Sequence, residues 1–129
     1  MKEMIYQAER KIEVLDTGTC FGLFYWILNL GTHPTAYVKI PESHKYYQKD
    51  YDDIDIQAHG GLTYSRDHLW ISESQKLEGW FIGWDYAHYD DYAGYYIERD
   101  FRWTSELKRW TTEEIREEVY KVCEQLLKD

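Results

Sequence analysis

Basic residues, cysteines and long apolar runs are all scarce in this chain. Lys and Arg together number 15 against 24 Asp and Glu over 129 residues, a formal net charge of -9. A non-specific nucleic-acid binder needs a basic face to displace counterions, so that class is set aside. A small phosphorylated ligand held by a few local arginines remains compatible. The longest apolar stretch, Cys20 to Leu30, is too short to cross a bilayer as a helix and contains Gly22 and Asn29. The segment Met1 to Gln7 is polar, so no signal peptide is expected. The two cysteines, Cys20 and Cys123, lie near opposite ends. A bridge between them is open, but the reading adopted is two reduced thiols acting as small hydrophobes in a cytosolic protein. No serine or cysteine nucleophile motif, Walker loop or dinucleotide fingerprint is present, so nothing specific supports an enzyme.

Aromatic residues are abundant instead: 6 Trp, 13 Tyr and 4 Phe. Rings pack well on pleated strands, and the excess of Tyr over Phe brings many hydroxyls that need partners when buried. Tyrosine-rich surfaces also suit flat ligands and subunit interfaces. The length fits one domain, residues 1–129, with a core of ordinary size.

The pattern along the chain predicts an α+β fold: a mainly antiparallel sheet with a C-terminal amphipathic helix on one face. Met4 to Leu15 reads as a first strand, Asp16-Thr17-Gly18-Thr19 as a turn, and Cys20 to Leu30 as the hairpin partner. Ala36 to Ile40 is a strand ended by Pro41, and Pro41 to Tyr47 one helical turn. The acidic run Asp50 to Asp53 is a loop that resembles a calcium loop only loosely, lacking its central glycine and final glutamate. Ile54 to Ala58 alternates as a strand, Leu69 to Ile71 is a short one, and Gly79 to Asp85 is apolar enough to be central. Asp90 to Glu106 is read as a long functional loop. Thr111 and Glu114 form a capping box, followed by the stripe Ile115, Val119, Val122, Cys123 and Leu126.

Two short segments concentrate polar chemistry: His59-Gly60-Gly61-Leu62-Thr63-Tyr64-Ser65 and Gly83 to Tyr92. Paired glycines after an extended run let the backbone turn sharply and present N–H groups to a phosphate or carboxylate, with Thr63 and Tyr64 hydroxyls beside them. A plain tight turn is the competing reading. From Asp85 onward, an extended chain puts Asp85 and His88 on opposite sides, whereas a helical one puts them on one face. A carboxylate beside an imidazole can orient a general base, or contribute to a metal site with His59, although the spacing matches no zinc signature. Arg99, Arg102, Lys108 and Arg109 cluster with Trp103 and Trp110, a set suited to an anion carrying a flat base and equally to a patch offsetting Glu98, Asp100 and Glu106.

Several motifs occur in a fixed order: Pro41-x-x-His44, Asp50-Tyr51-Asp52-Asp53-Ile54, His59-Gly60-Gly61-Leu62-Thr63-Tyr64, Gly79-Trp80-x-Ile82-Gly83-x-Asp85-x-x-His88, and an acidic C-terminal helix. Together they resemble a widespread set of small bacteriophage proteins, over roughly Tyr37 to His88 and the last helix. The resemblance implies counter-defence in the cytoplasm of an infected bacterial host. By analogy with anti-CBASS sponges, it implies sequestration of a cyclic dinucleotide without cleavage, by a homo-oligomer with no metal or other cofactor. On that reading His59, Gly60, Gly61, Thr63 and Tyr64 form one wall and Trp84, Asp85 and His88 another. Tyr47 stacks on a base, and Arg102 or Arg109 reaches a phosphate. The alternative expectation is a small metal-assisted hydrolase or phosphodiesterase using His59, Asp85 and His88.

Overall fold

In the computed structural model, residues 12–30, 33–86 and 110–128 are described. They form a five-stranded antiparallel sheet and one helix, the α+β arrangement expected. The strands are β1 (Glu13–Cys20), β2 (Leu23–Asn29), β3 (Pro34–Ile40), β4 (Tyr64–Trp70) and β5 (Lys76–Asp85), in the spatial order β1-β2-β3-β5-β4. A 3-10 turn, Tyr51–Asp53, lies between β3 and β4, and the helix α1 spans Thr112–Lys128. That helix is not long and apolar enough to cross a membrane.

The first hairpin turns later than the composition suggested. Asp16 to Thr19 lies inside β1, and the chain reverses at Phe21 and Gly22, both left-handed (φ 54° and 83°), with Cys20 paired to Leu23. Two consecutive left-handed residues match the right-handed twist of the flanking strands, which favours such short loops. The polar residues mistaken for a turn bond within the fold instead. Thr17 Oγ1 donates to the Tyr25 carbonyl at 2.9 Å, and the Tyr25 hydroxyl donates to Asp16 Oδ2 at 2.8 Å. Gly18 lies beneath the Tyr25 ring, where a Cβ would come within 3.4 Å. A bulge at Leu15 sits between the paired residues Val14 and Asp16.

Ile54 to Ala58 is a second correction: the segment is extended but joins no sheet. Its alternation is real, because Ile54 and Ile56 are buried in the helix-side core. Alternation follows from any extended backbone, whether or not a strand lies beside it. The neighbour here is a side chain: the Gln57 N–H donates to Gln125 Oε1 (2.7 Å) and Gln125 Nε2 donates back to the Gln57 carbonyl (2.8 Å).

The helix forms as predicted. The Glu114 N–H donates to Thr111 Oγ1 (3.2 Å) and the Thr111 N–H to Glu114 Oε1 (3.1 Å), so the two side chains satisfy terminal donors reciprocally. Ile115, Val119, Val122, Cys123 and Leu126 are all buried, against Tyr25, Ile27, Val38, Ile82 and Trp84 among others. His44 ties the Pro41–Tyr47 turns to the helix end. Its Nδ1 accepts the Tyr46 N–H (3.0 Å), leaving Nε2 to donate to the Leu126 carbonyl (2.9 Å), one of the carbonyls the last turn leaves without a helical partner. Cys20 and Cys123 are both buried free thiols. The opposite sheet face carries a smaller cluster of Leu28, Tyr37, Leu69 and Phe81, with edge-on aromatic pairs Trp26–Phe81 and Tyr37–Tyr64.

Arg116 joins α1 to β1 through Asp16, Nε to Oδ2 at 2.7 Å. Partial burial pushes the Asp16 carboxyl up, but hydrogen bonds from Arg116 and Tyr25 outweigh it and hold the group below its usual value. Burial, then the bond to Asp16, pushes the Tyr25 phenol up to about 12. A depressed carboxyl adds stability above its unfolded value of about 4, and loses it as pH falls through the folded value. Arg116→Met should therefore lower stability only modestly at neutral pH, since the pair is partly solvated. In urea unfolding, the gap between the two proteins should shrink as pH falls below about 4. A gap that stays constant across that range would remove Asp16 ionisation from the account.

Candidate functional site

Chemistry collects at both ends of the β3–β5 ladder. Register pairs Thr35↔Asp85 and Ile40↔Trp80 mark the two ends.

At the Asp85 end, the Ala58–Gly61 turn is closed by the Gly61 N–H donating to the Ala58 carbonyl at 2.8 Å. Gly60 and Gly61 have φ 68° and 86°. A Cβ at Gly61 would meet nothing within 4 Å, so backbone conformation alone calls for glycine there. The Gly61 N–H is thus committed to the turn, which weakens the pair of glycines as an anion cradle. The His59 ring stacks on Tyr86 (centroids 4.6 Å apart, planes 10°) and meets Trp110 edge-on at 4.8 Å. Trp84 Nε1 donates to the Tyr86 hydroxyl at 3.0 Å, with Trp84 only 1% exposed. Across the strand, Thr63 Oγ1 donates to Asp85 Oδ2 at 3.3 Å. Successive residues of a strand face opposite ways. Tyr86 packs in the helix-side core, which sends Asp85 to the other face. There its charge, after the larger effect of burial, helps raise the Tyr37 phenol.

The sequence-based walls therefore separate. His59 goes with Tyr86 and Trp110, and Thr63 goes with Asp85. Trp84 is core. Tyr64 turns to the second face against Tyr37 and donates its hydroxyl to the His68 carbonyl. Tyr47 lies at the far end of the sheet. His88, Arg102 and Arg109 fall outside the described residues, as does the Asp90 to Glu106 segment. No group of three or more His, Cys, Asp or Glu placed to hold a metal ion occurs among the described residues.

At the Trp80 end an open groove of about 620 Å³ includes Tyr47, together with Phe24, Lys39, Glu42, Glu78 and Trp80. Its origin is in the register. Paired residues of β2 and β3 run from Asn29↔Pro34 to Tyr25↔Val38, while β2 begins at Leu23 and β3 continues to Ile40. The groove lies where these ends part. The Trp80 indole is fixed by its N–H donating to the Lys49 carbonyl at 3.1 Å. Phe24 is 55% exposed. The Lys39 stem lies over Gly79, where a Cβ would come 2.5 Å from Lys39 Cε. That close approach, with φ at 133°, accounts for a glycine inside a strand. Glu78 faces Lys76 at 3.6 Å. The groove thus offers three rings, one ammonium and two carboxylates, a set suited to holding a flat ligand.

Sequence reasoning singled out Tyr47 but not Phe24, Lys39 or Trp80, which line the same groove. The available signals were a single cation in the otherwise apolar Ala36–Ile40 run and a glycine directly before Trp80. The chain matches no protein-family model, and no curated protein or solved structure is significantly similar to it.

The buried Trp84–Tyr86 bond gives a direct test of which end is structural. Tyr86→Phe leaves the Trp84 N–H without its acceptor and should cost about 1–3 kcal/mol in chemical denaturation. A change below about 0.5 kcal/mol would mean that the hydroxyl is not what satisfies the indole.

Proposed function

We propose that this chain is a non-enzymatic binding protein that holds a cyclic nucleotide in the groove between Phe24, Lys39, Tyr47 and Trp80. Tyr47 and Trp80 stack on the base, and Lys39, braced over Gly79, takes a phosphate. The observation that carries the reading is the junction of three partly exposed rings with one lysine in an open groove of about 620 Å³. That volume is of the size that small ligands occupy. The resemblance to small phage proteins supplies the biological setting: sequestration of an immune signal in the infected host cytoplasm. Exposed Phe21 and Phe24 at the hairpin tip, 54% and 55%, offer an apolar contact for a second copy beside the groove.

The alternative reading is a small metal-assisted hydrolase or phosphodiesterase using His59, Asp85 and His88. His59 stacks on Tyr86 and meets Trp110, and Asp85 accepts a bond from Thr63. Calorimetry against a panel of cyclic di- and trinucleotides should give micromolar or tighter binding for at least one, and intact ligand should return after denaturation. Tyr47→Ala and Lys39→Met should each weaken it about tenfold or more, since one stacked base contributes about 1–3 kcal/mol. Association should not slow as salt is raised, because screening relieves the repulsion of an anion by a chain of net charge -9. Absence of heat across the panel would end the proposal. Turnover that disappears in His88→Ala would select the hydrolase instead.

A further inference from the structure

Two carboxylates, Glu42 and Glu78, border the groove beside its rings. They differ in how firmly they are placed. Glu42 lies on the turns that follow β3, outside the sheet. Glu78 lies on β5 two positions before Trp80, in a ladder that pairs it with His68 of β4. Residues two apart on a strand face the same way. Leu77 and Phe81, on either side of the Glu78–Trp80 stretch, pack in the second-face cluster, and Trp80 packs against the helix-side core. Glu78 thus stands beside the Trp80 indole, which the Lys49 carbonyl holds in place. Gly79 between them faces the other way and lies under the Lys39 stem. The carboxylate and the ammonium of the groove are therefore on opposite sides of β5. The tie of Glu78 to Lys76 is loose. The ammonium is 3.6 Å away, and it also lies over the Trp70 ring at 5.8 Å. An exposed pair of that length contributes little, and a carboxylate has lone pairs for further donors.

We propose that Glu78 is a specificity-determining residue and that the ligand of the groove carries guanine. The inference rests on the reading of the groove as a cyclic-nucleotide site. A base stacked on Trp80 turns its edge toward Glu78. A carboxylate there accepts hydrogen bonds and donates none. Guanine alone among the common bases presents two adjacent donors on its Watson–Crick edge, N1–H and the 2-amino group. The two carboxylate oxygens can take these as a parallel, charge-assisted pair. Adenine and cytosine set a ring-nitrogen acceptor beside their amino group, and uracil flanks its one N–H with two carbonyls. Each of these puts a lone pair against Glu78. Lys39, across the strand, is left for a phosphate, so base and phosphate are read by different groups.

The test is calorimetry of the full chain with cyclic di-GMP, with cyclic di-IMP, which lacks only the 2-amino groups, and with cyclic di-AMP. Binding should weaken about tenfold from the guanine to the hypoxanthine ligand, and further for adenine. Glu78→Gln replaces one acceptor oxygen by a donor, a pattern that suits adenine rather than guanine. It should weaken cyclic di-GMP by about tenfold or more and hold cyclic di-AMP at least as tightly as the unmutated chain does. A merely structural role for Glu78 would weaken all three ligands alike. The Glu78 side chain is 75% exposed, so the variant should fold, with Tm within about 3 °C. Glu42→Gln should keep the guanine preference, whatever it does to overall affinity. Equal binding of the three ligands, a guanine preference that survives Glu78→Gln, or one that disappears in Glu42→Gln would each overturn this inference and leave the binding reading standing. Absence of heat with all three, and with the wider panel of cyclic nucleotides, would overturn both.

Discussion

The apolar stripe of α1 lies on the sheet face built from Tyr25, Ile27, Val38, Ile82 and Trp84, and the other described ties to the helix depend on that contact. A 17-residue helix is marginal by itself in water. Burying five apolar side chains contributes on the order of 10 kcal/mol before conformational entropy is set against it. The polar ties are smaller and directional. Arg116 holds Asp16 of β1, Gln125 holds the backbone of Gln57, and the Leu126 carbonyl takes His44. Each tie joins the helix to a different stretch of chain, so the stripe supplies the energy and these three contacts fix the register.

That register decides where function can sit. The chain leaves β3 at Ile40 and returns to the sheet only at Tyr64, having packed Ile54 and Ile56 into the helix-side core on the way. The crossing carries Tyr47 to one end of the β3–β5 ladder and His59 to the other. Residues twelve positions apart thus border different regions. The polar segments that stand out in the sequence are consequently divided: one imidazole becomes part of an aromatic stack, and one aspartate turns to the second face. The high aromatic content is divided too, among the helix-side core, the edge-on pairs of the second face and the rings at the groove.

Features governed by nearest neighbours were legible in the sequence. The Thr111–Glu114 box and the stripe behind it depend on residues three and four apart, and both appear as read. The antiparallel sheet was legible from its apolar runs. The first turn was not, because Asp16, Thr17 and Gly18 have turn-like composition but acquire partners from Tyr25 on the next strand and, for Asp16, from Arg116 on the helix. Ile54 to Ala58 carried a true strand periodicity, yet periodicity does not say whether hydrogen bonds come from a strand or from a glutamine. The groove was least legible. It arises where two strands part, and no local motif encodes that divergence.

On the proposed reading, charge decides how a ligand can lie in the groove. Lys39 is opposed there by Glu42 and Glu78, within a chain that is strongly acidic overall. At an effective dielectric of about 20, a phosphate roughly 4 Å from an ammonium gains about 4 kcal/mol, and one roughly 8 Å from a carboxylate loses about 2 kcal/mol. Two carboxylates at the longer distance therefore cancel the lysine, and any nearer approach makes the groove repulsive. A phosphate is favourable only on the Gly79 side, where the lysine stem is held by the close approach of the backbone. The carboxylates must then face a part of the ligand that donates hydrogen bonds, such as the N–H edge of a base stacked on Trp80. A compact polyphosphate fails both conditions, whereas a molecule that keeps its phosphate and its base edge apart can meet them.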